Sequence, residues 1–274
     1  MPKRRIPKKD NSWTSAAAKR LLNAAGNPKT IEESVQIVVK RVLDGITCPP
    51  TDLDALKSRL NVIGFYSEDM PVSGELRPNG NGFKIFYASH LSPARRRFTI
   101  AHEMGHAIFE TTGPNCPRFG NELERLCDML ATEILMPKEI FSKLVDENLS
   151  LQKVFELARK FETSLSSTAI RCAELQKVSI FEMQGKTVSW GYGVVKPGNL
   201  RSLGYVLGQE LEEASSTEAG NKTIYLNNPV WSGEWNLEWS RISQGTRTLF
   251  LLKPGSDYFK TRRQRVMLVE TSGF

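Results

Sequence analysis

The apolar positions of this chain change period twice. Near the N-terminus they recur every three or four residues, the spacing that collects side chains on one face of a helix. Ser12–Ala25 predicts a short helix stopped by Gly26. A second helix starts at Thr30, where Thr30 and Glu33 have the spacing of a capping box, and runs toward Gly45 with Ile31, Val35, Val38, Val39 and Val42 on one stripe. Pro49 and Pro50 interrupt the chain, and Leu53, Leu56 and Leu60 predict a third helix over about 52–60. The texture then becomes strand-like. Val62–Tyr66 reads as one strand, and Ser73–Arg77 and Phe83–Ala88 read as a hairpin turned at Asn79-Gly80-Asn81-Gly82. Helical periodicity returns from Ser92-Pro93 to about Glu110, and again over 121–135, from Pro137 to about 147, over Ser150–Phe161 and over Ser164–Leu175. From Val178 onward short apolar runs (Ile180–Met183, Val188–Val195, Thr223–Leu226, Thr246–Leu252 and Arg265–Glu270) alternate with Gly, Pro and Asn, a β pattern.

The boundary falls near residue 176. The expected organisation is a basic flexible tail over 1–12, a helix-rich domain over 13–176 and a β-rich domain over 177–274. At 274 residues, 40% of them hydrophobic and 24% charged, the chain is long enough for two such cores and ordinary for a globular protein. No apolar run approaches membrane-spanning length, and the basic N-terminus has no apolar stretch behind it, so the expectation is no membrane span, no secretory signal and a cytoplasmic location. Cys48, Cys116, Cys127 and Cys172 form no Cys-x-x-Cys pair and read as free thiols.

The net charge is +7, and residues 1–20 account for +6 of it, with seven basic side chains against Asp10. The body is therefore nearly neutral. The tail is expected as a solubilising arm with at most a weak nucleic-acid contact. DNA binding through the helices at 150–175 is a poor fit to so little positive charge.

The chemistry lies in His102-Glu103-Met104-Gly105-His106. On a helix, residues four apart share a face, so two imidazoles can hold one zinc ion while Glu103 serves as general base toward an attacking water. Two of the chain's three histidines sit at this spacing. Zinc needs a third protein ligand and an open position. A longer motif with a further histidine fails at Thr112, and no histidine follows His106, so a carboxylate is expected. Glu124 and Asp128 share a helix face, which suits one ligand and one carboxylate that orients a zinc-bound histidine. Glu110 and Glu122 remain rival ligands. His90 and Tyr87 are candidates for an oxyanion or substrate contact, and an exposed edge on Phe83–Ala88 is a candidate for pairing with an extended substrate. In the last hundred residues Trp231, Trp235 and Trp239 are spaced by four; they suggest either a packed core or an aromatic face for an unknown ligand of a sensor or recognition domain.

These segments resemble the ImmA/IrrE family of metallopeptidases. The likeness lies in Arg96-Arg97-Phe98-Thr99-Ile100-Ala101 leading into the His-Glu-x-x-His motif. It continues in Glu124-Arg-Leu-Cys-Asp128-Met-Leu-Ala131 and ends in Ile134-Leu-Met-Pro137. It is strong over about 50–145, fades by 176 and does not reach 178–274. It implies His102, His106 and Glu124 as zinc ligands, Glu103 as base, and an aspartate at 128 where the family often has asparagine. Together with the β pattern after Val178, which the resemblance does not cover, the expected fold is α+β: a mostly helical, zincin-like catalytic domain with a small antiparallel sheet, followed by a β-rich C-terminal domain. The implied activity is that of a narrow zinc endopeptidase whose substrate is a helix-turn-helix transcriptional repressor in stress-response or mobile-element regulation. A zinc-fold toxin or binding module acting through the C-terminal domain is the alternative.

Overall fold

The computed structural model describes residues 13–111, 120–145, 148–176, 178–185, 187–194, 211, 217–226, 233–242 and 247–255. The tail over 1–12, the loop with Gly113, Pro114 and Pro117, Trp231 and the run Arg265–Glu270 lie outside them. The chain divides into two compact units. One comprises residues up to Leu144 together with Arg159–Ser164; the other comprises Val145–Ala158 together with residues from Leu165 onward.

The first unit opens with α1 (Ala16–Ala25) and α2 (Ile31–Val42). Ser15 caps α1 by accepting from the Ala18 N–H, and Gly26 ends it at φ 87°, a left-handed conformation that glycine adopts without penalty. Thr30 caps α2 by accepting from Glu33 N–H at 3.1 Å. The Glu33 carboxylate reaches back to Lys29 N–H rather than to Thr30, so the capping box is displaced by one residue.

The helix expected over 52–60 does not form. The Asp52 side chain accepts from both Asp54 N–H and Ala55 N–H, at 3.0 and 3.1 Å, and the segment proceeds through successive turns to a single 3-10 turn at Ser58–Leu60. A short carboxylate that captures nearby amides competes with helix formation in this way. Leu53, Leu56 and Leu60 are nevertheless buried.

Three strands follow: β1 (Val62–Glu68), β2 (Gly74–Asn79) and β3 (Gly82–Ala88). The hairpin pairs β2 and β3 antiparallel, with Asn79 opposite Gly82, and β1 lies parallel to β3 on its other side. The order β1-β3-β2 makes β3 central. Helix α3 (Pro93–Thr111) packs against β2 and β3 and against α4 (Asn121–Leu135), and α5 (Lys138–Leu144) follows. Two of the largest buried rings in this unit, Phe141 and Phe161, meet at 5.0 Å between centroids.

Helix α6 (Leu151–Phe161) precedes α7 (Leu165–Leu175), and the described residues of the second unit then carry five strands: β4 (Ser179–Gln184), β5 (Thr187–Gly193), β6 (Ala219–Leu226), β7 (Gly233–Arg241) and β8 (Arg247–Pro254). They form an antiparallel sheet in the order β5-β4-β8-β7-β6, with α7 packed on β4 and β5. Phe181, Trp235, Leu237, Phe250 and Leu252 form its core, with Trp239 packed against them. Trp235 and Trp239 stand on a strand, where a spacing of four is two periods and again places both on one face. A helical aromatic face is therefore excluded for this pair. The architecture is α+β with a β-rich C-terminal region. Among the described residues no helix is long and apolar enough to cross a membrane.

Candidate metal centre

Helix α3 puts His102 and His106 on the same face because they are four residues apart, and their rings meet edge-to-face at 5.1 Å. Helix α4 crosses α3 at Gly105. A Cβ there would lie 3.1 Å from Cys127 Cα and 3.3 Å from its carbonyl oxygen, so the bare glycine lets the two backbones approach. That approach carries Glu124, one turn before Cys127, over the histidines. Its carboxylate oxygens lie 3.3 Å from His102 Nε2 and 3.6 Å from His106 Nε2. The three ligand atoms lie within 4.8 Å of one another and could hold a metal ion. Tetrahedral zinc with bonds of about 2.0–2.1 Å separates its ligand atoms by about 3.3 Å, so the donor set and spacing fit.

Asp128 lies one turn beyond Glu124 on the same face and accepts from His102 at Nδ1, 3.0 Å away. This leaves Nε2 of His102 turned toward Glu124. Thus His102, His106, Glu124 and Asp128 converge, while Glu110 and Glu122 do not join them; the Glu122 carboxylate instead accepts from Ser15 N–H. Glu103 is buried beside the cluster. Burial raises its carboxyl to about 7, countered by the His102 charge and by a backbone hydrogen bond from Leu76 on β2. For His102, burial disfavours the imidazolium, but the carboxylates of Asp128 and Glu124 outweigh it and hold the ring up to about 9. His106 is pushed below the usual histidine range by burial and by the positive charge of His102. The hydrogen bond with His102 holds Glu124 below the usual carboxylate range despite partial burial.

The cluster opens on a cleft of about 1180 Å³, bounded on one side by β2 and on the other by the stripe of α3 that carries Phe98, His102 and Phe109. His90 is exposed in the turn between β3 and α3, and Tyr87 packs beneath the Arg96 guanidinium, 5.7 Å from its ring centre; neither lines the cleft. The edge expected on Phe83–Ala88 is corrected: β3 is paired on both sides, and the open edge along the cleft belongs to β2. The signal for that strand is Gly74, a strand glycine of the kind that marks close backbone approach.

The segment that carries this cluster resembles known proteins. Residues 68–173 match the family model of the IrrE N-terminal-like domain, a span that takes in α3, α4 and every member of the cluster. Over that segment the chain is similar to the ImmA/IrrE family. Two similar proteins are radiation response metalloproteases IrrE. The one from Deinococcus radiodurans is 29% identical over 124 residues, 42% of this chain and 35% of the relative. The one from Deinococcus deserti is 31% identical over 103 residues, 33% of this chain and 36% of the relative. The chain thus spans about a third of the length of the curated relatives it matches. A solved Mycobacterium tuberculosis transcriptional regulator is similar in fold, with a TM-score of 0.52 and 11% identity, covering 89% of this chain and 82% of that one. A metalloprotease family implies a divalent metal, in keeping with the His-His-Glu set.

Proposed function

We propose that the protein is a cytoplasmic, zinc-dependent endopeptidase of narrow specificity that cleaves a helix-turn-helix transcriptional repressor. The observation that carries the peptidase reading is the convergence of His102, His106 and Glu124 in an open cleft with a buried carboxylate, Glu103, beside them. The ligand roles go to His102, His106 and Glu124, and Asp128 orients the His102 ring through Nδ1. Zinc, when bound, supplies a Lewis acid that polarises the scissile carbonyl and acidifies a water. Glu103 takes the proton from the attacking water on its carboxylate and returns it to the leaving amine. Its burial favours holding that proton between the two steps.

The substrate is an extended segment laid along β2. The Ala88 N–H donates to the Ser73 carbonyl, so the bonded pairs of the hairpin fall at Ser73, Glu75, Arg77 and Asn79. Of the alternate residues, the Gly74 N–H and the carbonyls of Gly74, Leu76 and Pro78 turn to the cleft, where a peptide strand can pair with them, while the Leu76 N–H serves Glu103. The strand-rich segment 177–274 has a recognition or sensing role in this reading. The repressor target rests on family resemblance.

The test is to incubate the chain with the repressor encoded beside its own gene, with and without chelator, and to repeat it with Glu103→Gln. Cleavage that requires metal and is lost in the variant supports the proposal. Cleavage untouched by the substitution refutes the mechanism, and an intact repressor in the presence of the zinc-loaded chain favours a binding module or toxin.

A further inference from the structure

We propose that Gly74 is a positioning residue for Glu103: its missing side chain lets the edge strand β2 rest directly on α3 and hold the Glu103 carboxylate between strand and helix. The kinetic part of this inference rests on the peptidase reading above; the structural part does not.

A glycine inside a strand has a cost, because it contributes no packing and loses more backbone freedom than any other residue. Gly74 does not occupy the left-handed region, so its backbone conformation does not demand glycine. Space does. A Cβ at this position would overlap Thr99 Cγ2, would lie 3.1 Å from Glu103 Oε1 and would lie 3.2 Å from the Phe86 carbonyl oxygen. Thr99 and Glu103 are one turn apart on α3 and meet the same point of β2. Neither can move aside into solvent: Thr99 is 4% exposed and Glu103 7%. Among the described residues the Thr99 hydroxyl is buried with no hydrogen-bond partner, and its methyl is set against Gly74 by packing.

The strand holds Glu103 a second time. Leu76, two residues along β2, shares Gly74's outward direction, and its backbone hydrogen bond reaches the Glu103 carboxylate. Two residues of a strand span about 6.6 Å, the reach of one side chain across the rim of the cleft. The carboxylate therefore has the Leu76 N–H as one stop and the bare Gly74 Cα as the other. Any side chain at 74 must lift β2 from α3 or rotate Glu103 away from the Leu76 N–H. Both outcomes displace the base from the water it serves while leaving the His102, His106 and Glu124 ligands in place.

Gly74→Ala is the perturbation, and Gly74→Ala combined with Thr99→Ser is its control, because serine lacks the methyl that the alanine side chain would strike. Zinc content, kcat and KM on the cleaved protein substrate, and a crystal structure of each variant are measured. A misplacement of about 1 Å costs on the order of 100-fold in rate. Gly74→Ala is thus expected to lose about 10- to 100-fold in kcat with KM and zinc content near wild type, and the double variant to recover most of that loss. Wild-type kcat in Gly74→Ala, or a double variant no better than the single one, overturns the proposal. The crystal structures decide it without turnover: a Glu103 carboxylate displaced from the Leu76 N–H in Gly74→Ala and restored in the double variant supports it. A carboxylate still on that N–H in Gly74→Ala overturns it. Failure of the peptidase reading is seen separately, as a wild-type chain that cleaves nothing.

Discussion

Gly105→Ala tests the helix crossing that assembles the metal centre. The alanine methyl would sit 3.1 Å from Cys127 Cα, 3.2 Å from its Cβ and 3.3 Å from its carbonyl oxygen, all tighter than ordinary carbon contacts. Two of these three atoms are backbone, and Cys127 is fully buried, so no flexible side chain can yield. Overpacking of this kind costs about 1–3 kcal/mol. Alanine is a better helix former than glycine by about 1 kcal/mol. The net destabilisation is therefore about 1 kcal/mol, or about 3 °C in melting temperature for a unit of this size. The effect on the metal is larger in proportion. A shift of a few tenths of an ångström at Cys127 is transmitted along α4 to Glu124, one turn away, whereas ligand positions tolerate about 0.2 Å. Zinc affinity is expected to fall about tenfold, equivalent to about 1.4 kcal/mol. Competition against a chromophoric chelator gives the affinity and thermal unfolding gives the stability. An unchanged zinc affinity together with a raised melting temperature would refute the claim that Gly105 sets the approach of α4 to α3.

Zinc binding should strengthen with pH between 6 and 8. His102 is held up to about 9 by Asp128 and Glu124, so it is protonated across that range and must release one proton to ligate; the apparent Kd should fall about tenfold per pH unit, and a pH-independent Kd contradicts this. In the second unit, burial pushes the Glu182 carboxyl up, but the Arg247 fork at 2.9 and 2.7 Å, with the Trp190 and Ser189 hydrogen bonds, brings it below the usual range. A carboxyl depressed in the folded state contributes stability above its unfolded pKa of about 4.3 that is lost as pH falls through the folded value. The melting temperature of this unit should drop below about pH 4. Glu182→Gln should lower it at pH 7 by the loss of about 1–2 kcal/mol and flatten the acid limb; an unchanged acid limb would show that another group carries it.

Much of the first unit was legible because its signals are local. The histidines and Glu103 need only a helix to be brought together, and Pro93 at the start of α3 marks where that helix begins. The third candidate ligand was narrowed to a carboxylate by the scarcity of histidine and to Glu124 by the face it shares with Asp128 and by resemblance, while the angle at which α4 returns over Gly105, which sets Glu124 rather than Glu110 or Glu122 over the histidines, is not encoded in residue spacing. Leu53, Leu56 and Leu60 have helical spacing and are buried, yet the Asp52 carboxylate diverts the backbone into turns. Trp235 and Trp239 left a packed core and an aromatic face both open for a related reason, since four is close to one helical turn and equal to two strand periods, and the packed-core reading holds. The open edge was assigned to β3 rather than β2 because a hairpin pattern says which strands are consecutive and nothing about β1 returning parallel on the far side. Gly74 carried a visible signal, a glycine inside a strand, but its meaning lies in Thr99 and Glu103 across the sheet–helix contact.

The most direct measurement is anomalous diffraction at the zinc edge from crystals of the zinc-loaded chain. The account predicts one zinc ion with His102 Nε2, His106 Nε2 and a Glu124 carboxylate oxygen at about 2.0–2.2 Å, the fourth position open toward the β2 edge, and Glu103 facing that position without ligating. A zinc ion held by other residues, or no anomalous peak between α3 and α4, would contradict it.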